Sequence, residues 1–265
     1  MSTGPAWLFC PADRPERYGK AAAVADVVIL DLEDGVAAAD RPAAREALRN
    51  TPLDPERTVV RVNPAGTADQ ALDLEALADT AYTTVMLAKT ESAAQVAALA
   101  PRQVVALIET PRGAVFCAEI AAAQECVAMM WGAEDLVAAM GGGSSRHANG
   151  RYRDVARHVR SSVLLAASTF GRAALDAVYL NIGDLDGLKA EALDGAAVGF
   201  AATVCIHPSQ IAVVRDAYRP APERVDWARR VLAAAQTERG VFAFEGQMVD
   251  SPVLRHAEAI LRRVD

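Results

Sequence analysis

Eight short runs rich in Val, Ile and Leu recur along the chain, and longer Ala-rich segments of helical period separate them. This alternation predicts repeated βα units around a parallel sheet. Eight parallel strands close a (β/α)₈ barrel of the α/β class, and about 250 residues is an ordinary length for such a barrel as one domain. The candidate strands are Trp7–Cys10, Val27–Leu30, Val59–Val62, Val85–Ala88, Val104–Ile108, Val127–Trp131, Ala177–Leu180 and Thr203–Ile206.

The pattern continues beyond the eighth candidate strand. Helical segments are predicted over Glu223–Arg239 and Ser251–Arg263, and the prolines at 220 and 222 precede the first of them. We therefore expect a barrel catalytic domain over residues 1–219. Residues 220–265 are expected to form a short C-terminal helical extension, which is a candidate for contact with a neighbouring subunit.

The charge balance and hydropathy of the chain exclude several classes of partner. There are 27 Lys and Arg residues against 34 Asp and Glu residues, a formal net charge of −7, so no basic field would hold a nucleic acid. No apolar run approaches the roughly 18 residues that a membrane span needs, and residues 1–13 lack the features of a signal peptide. The four cysteines show no CxxC spacing. These features predict a cytoplasmic protein with free thiols.

Polar residues follow nearly every candidate strand. In a (β/α)₈ barrel the active site forms at the carboxyl ends of the strands, so these side chains are expected to meet at one mouth. In chain order they are Asp13; Asp31, Glu33 and Asp34; Arg61 and Asn63; Lys89; Glu109; Glu134 and Asp135; Asn181 and Asp184; and His207.

Glu109 and Asp135 end neighbouring candidate strands, and their carboxylates are expected to converge. Two carboxylates without a nearby His or Cys cluster suit Mg²⁺, which takes oxygen ligands and keeps several waters. Alternatively, both acids stabilise the first turns of the helices that follow them. Arg61 could hold a substrate carboxylate through its planar guanidinium, or pair with Asp31 or Asp34.

Lys89 is one of only three lysines, with Lys20 and Lys189. Pairing with substrate or with a carboxylate is the favoured interpretation, and a Schiff-base nucleophile, which requires a depressed pKa, is the alternative. His207 is expected to cap a turn rather than to transfer protons. Five arginines could meet cofactor phosphates or form a solvated helix face, namely Arg146, Arg151, Arg153, Arg157 and Arg160.

Several segments together carry a family resemblance. In order along residues 7–254 they include LFCPADRPERYGKA, ADVVILDLEDGV, VVRVN, LAKTES, ALIETPRGA, WGAEDL, IHPSQI and GQMVDSP. This set resembles the citrate lyase β-subunit-like group of the HpcH/HpaI aldolase family. The resemblance implies a TIM barrel, usually a homotrimer, that uses Mg²⁺ to cleave or form a carbon–carbon bond next to an acyl-CoA thioester.

The resemblance also implies roles for particular residues. Glu109 and Asp135 match the metal ligands, Arg61 matches the residue that holds the oxo-acid part of the substrate, and Asp34 matches a further acid in the mouth. Asp250 matches an acid that reaches a neighbouring subunit's site as the proton-transfer group.

We therefore expect a stand-alone lyase that cleaves a 3-hydroxyacyl-CoA, such as malyl-, citramalyl- or hydroxymethylglutaryl-CoA, to acetyl-CoA and an oxo compound. Three alternatives keep the same site or fold: an acyl-CoA thioesterase, a condensing synthase, or a subunit of a multi-chain citrate lyase complex. A metal-free aldolase acting through Lys89 is a fourth.

Overall fold

The computed structural model describes residues 4–238 and 240–264. Two compact units follow one another, the first ending at Val214 and the second beginning at Arg215. That residues 1–219 form the catalytic domain and 220–265 an extension stays a prediction.

The first unit is a closed barrel of eight parallel strands. Each strand pairs with the next, and β1 also pairs with β8, which confirms the predicted (β/α)₈ TIM barrel. The strands are β1 Ala6–Pro11, β2 Val27–Asp31, β3 Thr58–Val62, β4 Thr84–Leu87, β5 Gln103–Ile108, β6 Cys126–Trp131, β7 Ala173–Asp176 and β8 Ala202–Cys205.

Burial on both faces explains why the strands are nearly continuous apolar runs. All five residues of β2 are buried, as are all four of β4. Helices cover the outer face of such a sheet, and large side chains fill its interior. Trp7, Ile29, Met86 and Leu107 belong to one core cluster contributed by strands around the barrel.

Helices follow the strands as the Ala-rich segments predict. They are α1 Pro15–Val24, α2 Arg41–Asn50, α3 Ala68–Ala78, α4 Ala93–Ala97, α5 Pro111–Val115, α6 Cys117–Ala122, α7 Ala133–Ala139, α8 Asp154–Thr169, α9 Leu185–Val198 and α10 Ser209–Tyr218. Across the described residues, no helix has both the length and the apolar character that crossing a membrane would require.

The position predicted for the seventh strand is wrong. The strand is Ala173–Asp176, which pairs with β6 and β8, rather than the more apolar run Ala177–Leu180. Leu180 is half exposed beyond the end of the strand. The later run was predicted because it contains Val and Tyr, and branched and aromatic residues are enriched in strands. The position of so short a strand is instead determined by its pairing with the two neighbouring strands.

The helical segment that follows β5 is divided into two. The segment 111–123 is α5 and α6, separated at Phe116, whose backbone (φ −101°, ψ 16°) leaves the helical region. The run of apolar residues across the break keeps the helical period, so the pattern alone does not reveal the interruption.

The second unit has a small apolar core of its own. It contains α11 Pro222–Ala234, an antiparallel hairpin of β9 Phe242–Phe244 and β10 Gln247–Val249, and α12 Ser251–Leu261. Ala228, Val231, Val249 and Ala257 are fully or almost fully buried together. The predicted helical extension therefore also includes a two-stranded hairpin.

A buried polar network fixes the carboxyl ends of β2 and β3. Asp73 of α3 is fully buried and accepts hydrogen bonds from Nε of Arg45 (2.7 Å) and from the backbone N and Nδ2 of Asn63 (2.9 and 2.8 Å). Nδ2 of Asn63 also donates to the carbonyl of Leu32 (2.9 Å). These bonds hold the residues that directly follow the two strands.

Asp69 extends this network to the surface and gives a pH-dependent contribution to stability. Hydrogen bonds from Arg45 and Arg41 hold the pKa of its carboxyl below the ordinary 3.8. A depressed folded-state pKa stabilises the protein above the unfolded-state pKa, and this stability is lost as the pH falls through the folded-state value. We expect Asp69→Asn to lower the free energy of unfolding by about 1 kcal/mol at pH 7. The deficit should shrink below about pH 4, as measured by urea unfolding at several pH values. A deficit that grew on acidification would contradict this account.

Candidate active site

A cavity of about 450 Å³ opens at the carboxyl ends of the barrel strands. Residues from β1, β2, β3, β5 and β6 and from the loops after β7 and β8 line it. Among them are Arg61, Glu109, Asp135 and Asp34. The strand-end pattern therefore predicted where these side chains meet.

Glu109 follows β5 directly and is 4% exposed. Its Oε1 accepts a hydrogen bond from the backbone N of Lys89 (3.0 Å). Gly132 leaves room for the carboxylate, because a Cβ at that position would lie 2.8 Å from Oε2 of Glu109. Burial, reinforced by the charge of Asp135 and only partly offset by Lys89 and Arg61, raises the pKa of Glu109 to about 8. A cation close to Glu109 would favour its charged form.

Asp135 lies in the first turn of α7, and Asp34 lies in the loop after β2. Their side chains are 40% and 56% exposed, so both stand towards the open side of the cavity. Burial raises the pKa of Asp34, but the hydrogen bond and charge of Lys89 outweigh it, and the pKa lies below its ordinary value.

Arg61 of β3 is held by buried acids. Its Nε and Nη2 donate to the two carboxylate oxygens of Asp31 (2.7 and 2.6 Å), and Nη1 lies 3.1 Å from Oε2 of Glu33. The guanidinium also lies over the ring of Phe9, 4.7 Å from its centroid. Burial would lower the pKa of Arg61, but Asp31 raises it above its ordinary value. Of the two partners considered from sequence, Asp31 is therefore the one that forms the bidentate pair.

Asp31 also organises the loop between β2 and α2. Its carboxylate accepts from the backbone N of Glu33 (3.0 Å) and of Gly35 (2.8 Å). A Cβ at residue 35 would lie 2.2 Å from Oδ2 of Asp31, so only glycine fits this approach. This turn places Glu33 and Asp34 beside the mouth. It also explains why the acids and the glycine of the DLEDG segment stand at these positions relative to Asp31.

Lys89 extends its Nζ into a group of four carboxylates. Nζ lies 2.5 Å from Glu33, 3.1 Å from Asp34, 3.3 Å from Asp135 and 3.9 Å from Glu109. Burial would lower the pKa of Lys89, but Glu33, Glu109 and Asp34 raise it above its ordinary value. A protonated ammonium is not a nucleophile, so this environment argues against the Schiff-base alternative and agrees with carboxylate pairing.

Glu109 and Asp135 form a donor set that suits Mg²⁺. Both contribute hard oxygen ligands within 4 Å of one point, the Nζ of Lys89. Within residues 4–238 and 240–264, no three His, Cys, Asp or Glu residues are arranged to hold a metal. Mg²⁺ is often held by only one or two carboxylates, with water and substrate oxygens completing an octahedron, so a two-carboxylate site fits this ion.

The position of β7 explains a cluster that the sequence did not reveal. Asp176 ends β7 and accepts a hydrogen bond from Nε1 of Trp131 (2.7 Å), which lines the cavity. Nη2 of Arg160 also donates to Asp176 (2.7 Å). Because the strand was predicted four residues later, Asp176 fell outside the predicted strand ends. The strand AALD has the same length as the predicted run and is less apolar, so it offered no stronger signal.

The arginine set after the Gly-rich loop is largely engaged in internal contacts. Arg146 pairs with Glu191, Arg160 pairs with Asp176, and Arg153 donates to the carbonyl of Ser144. These three therefore support the fold of the loop and of α8. For Arg151 and Arg157, both interpretations, contact with cofactor phosphates and a solvated helix face, stay predictions.

Two further predicted residues lie in capping positions. The exposed His207 accepts a hydrogen bond from the backbone N of Ser209 through Nδ1 (3.2 Å), which confirms the turn interpretation. Asp250 is the N-cap of α12 in the second unit, where its Oδ1 accepts from the N of Val253 (3.4 Å). Its role in proton transfer stays a prediction.

Comparison with known proteins decides the family. The model of the HpcH/HpaI aldolase/citrate lyase family matches residues 6–208. The chain belongs to this family. The predicted resemblance is confirmed, and the family match is consistent with the predicted lyase.

Relatives within the family bear several names. The chain is 75% identical, over 99% of its length and 96% of the relative's, to the citrate lyase subunit beta-like protein of Mycobacterium tuberculosis. It is 31% identical to human mitochondrial citramalyl-CoA lyase, over 95% of this chain and 82% of the relative. It is 32% identical to a (3S)-malyl-CoA thioesterase of Cereibacter sphaeroides, over 92% and 88% of the two chains.

A solved structure is similar over nearly the whole chain. It is the crystal structure of CitE from Mycobacterium tuberculosis in complex with magnesium, acetoacetate and coenzyme A. The TM-score is 0.96 at 75% sequence identity, and the match covers 99% of this chain and 98% of that one.

Proposed function

We propose that the protein is a Mg²⁺-dependent carbon–carbon lyase that cleaves a 3-hydroxyacyl-CoA to acetyl-CoA and an oxo compound. The observation that carries this proposal is the convergence of Glu109 and Asp135 beside Arg61 in one strand-end cavity. The cavity of about 450 Å³ falls in the usual range for small-molecule sites. The magnesium, acetoacetate and coenzyme A bound by the similar CitE structure support the same chemistry.

The residues of the mouth would divide the work. Glu109 and Asp135 would hold Mg²⁺, which when bound stabilises the negative charge that develops on substrate oxygens. Arg61, fixed by Asp31 and Glu33, would hold the oxo-acid portion through its planar N–H groups. Lys89, with 27% of its side chain exposed, would pair with a substrate anion, and Asp34 would hold the ammonium in place.

Two proton transfers complete the proposed reaction. A base takes the proton from the substrate hydroxyl, the adjacent carbon–carbon bond breaks, and its electron pair passes to the departing thioester enolate. An acid then protonates the enolate carbon to give acetyl-CoA. We assign that acid to Asp250, acting from a neighbouring subunit of a homotrimer. A cytoplasmic location belongs to the same proposal.

A screen of hydroxyacyl-CoA thioesters, with and without Mg²⁺ and read by mass spectrometry, tests the function. We expect malyl-, citramalyl- or hydroxymethylglutaryl-CoA to yield acetyl-CoA and an oxo compound only when Mg²⁺ is present, because EDTA removes the charge stabilisation. Free CoA with an intact hydroxy acid would instead identify a thioesterase, the activity named for the relative from Cereibacter sphaeroides.

Two further outcomes would contradict the lyase assignment. Net formation of the hydroxyacyl-CoA from acetyl-CoA and an oxo acid, without measurable cleavage, would identify a condensing synthase. Absence of turnover by the purified homo-oligomer would favour a subunit that needs partner chains.

A further inference from the structure

Lys89 is unusual in touching both proposed Mg²⁺ ligands. Its Nζ lies 3.3 Å from Oδ1 of Asp135 and 3.9 Å from Oε1 of Glu109. The same ammonium lies closer to a second pair of acids, 2.5 Å from Glu33 and 3.1 Å from Asp34. Lys89 therefore bridges the metal-ligand pair and an adjacent pair of carboxylates.

The backbone fixes this bridge. Lys89 has φ of 51°, in the left-handed region that side-chain-bearing residues rarely adopt. This conformation accompanies a backbone N–H that donates to Oε1 of Glu109 (3.0 Å). The main chain of Lys89 thus orients a ligand carboxylate, while its side-chain charge lies among the ligand oxygens.

Electrostatics gives the ammonium a defined effect on a divalent cation. Mg²⁺ binds carboxylate oxygens at about 2.0–2.1 Å, so an ion on Glu109 and Asp135 would lie within a few ångströms of Nζ. Like charges at that separation repel strongly where burial limits screening by water. Arg61 is also cationic, but Asp31 and Glu33 neutralise it directly.

We propose that Lys89 is an internal counter-ion that competes with Mg²⁺ for the carboxylates of Glu109 and Asp135, and thereby sets the Mg²⁺ affinity of the site. The inference rests on the proposed metal site and goes beyond it. Glu33 and Asp34 retain the ammonium when the cation binds, so the competition weakens Mg²⁺ binding without expelling the lysine. An anionic substrate then raises Mg²⁺ affinity by pairing with the same ammonium.

Calorimetric titration of the purified full chain with MgCl₂, without substrate, tests the sign of this effect. We expect Lys89→Met to bind Mg²⁺ about tenfold more tightly than the wild type, because one positive charge beside the ligands is removed. Lys89→Arg, which keeps the charge, is expected to stay close to the wild-type Kd. Lys189→Met removes a lysine charge from an exposed position on α9 and is the matched control. Unchanged or weaker Mg²⁺ binding by Lys89→Met overturns the proposal.

Thermal unfolding gives a second readout that is independent of turnover. In EDTA, Lys89→Met is expected to melt below the wild type because four carboxylates lose their shared cation, and Mg²⁺ should raise its Tm more than it raises the wild-type Tm. If Lys89→Met does not fold, the same two measurements apply to Lys89→Gln. An equal Mg²⁺-induced shift in wild type and variant overturns the proposal.

The wild type and Glu109→Gln separate failure of this inference from failure of the metal site. Absence of Mg²⁺ binding by the wild type would remove the metal site and the role of Lys89 together. Mg²⁺ binding that Glu109→Gln abolishes, combined with an unchanged Kd in Lys89→Met, would overturn the role of Lys89 alone.

Discussion

Glu109→Gln is expected to lower kcat/KM of the Mg²⁺-dependent reaction about a thousandfold, which corresponds to about 4 kcal/mol of transition-state stabilisation. The amide occupies nearly the same volume beside Gly132 and can still accept a hydrogen bond from the backbone N of Lys89. It lacks the negative charge through which a carboxylate binds Mg²⁺ strongly. Steady-state kinetics across a Mg²⁺ titration measures the loss, which should persist at saturating substrate.

The fold should survive this substitution. Burial raises the pKa of Glu109 to about 8, so the pocket already tolerates a neutral carboxyl group and should tolerate a neutral amide equally well. We therefore expect the Tm of Glu109→Gln in EDTA to match or exceed that of the wild type. Glu119→Gln, at an exposed position on α6, is the matched control for loss of a carboxylate. Near-normal turnover and Mg²⁺ affinity in Glu109→Gln would show that Glu109 is not a metal ligand.

The strand-end rule explains why Glu109, Asp135 and Lys89 could be located from sequence. Each follows a run that is apolar enough to be recognised as a buried strand, and parallel strands place their carboxyl ends on one side of a barrel. The residue that follows each strand must therefore lie near the mouth. Strand order alone places these residues at the mouth, whereas their side-chain contacts also depend on register and backbone position.

Contacts depend on register and on small differences in backbone placement. Arg61 pairs with Asp31 because the two residues lie opposite each other in the β2–β3 ladder. The sequence of either strand alone does not specify this register. The sequence did not indicate that Gly132 and Gly35 are needed. Gly132 leaves room for Glu109 of a neighbouring strand end, and Gly35 leaves room for Asp31 only through the fold of its turn. Asp176 was not predicted as a strand-end residue because the adjacent, more apolar run Ala177–Leu180 was predicted as the seventh strand.

Arg61→Met is expected to lower the free energy of unfolding by about 3–5 kcal/mol, because the variant leaves buried carboxylates without their cation. The side chains of Asp31 and Glu33 are each 3% exposed, and both oxygens of Asp31 receive hydrogen bonds from the guanidinium. Methionine is expected to keep an apolar contact with Phe9, but it carries no positive charge. Urea unfolding at pH 7 gives the stability, and activity should fall with it because the proposed hold on the oxo acid is removed.

Arg49→Met supplies the matched comparison at the surface. Arg49 pairs with Asp79 at 3.1 Å, but the two side chains are 30% and 66% exposed, so the loss of this pair should lower the free energy of unfolding by about 1 kcal/mol or less.

A double-mutant cycle of Arg61→Met with Asp31→Asn isolates the Arg61–Asp31 pair. The double variant should be more stable than the sum of the two single losses predicts, because the amide introduced at position 31 carries no unpaired charge. If Arg61→Met lost no more stability than Arg49→Met, the buried pair would not be what holds β2 and β3 in register at the mouth. Arg61 would then be available to bind substrate without supporting the fold.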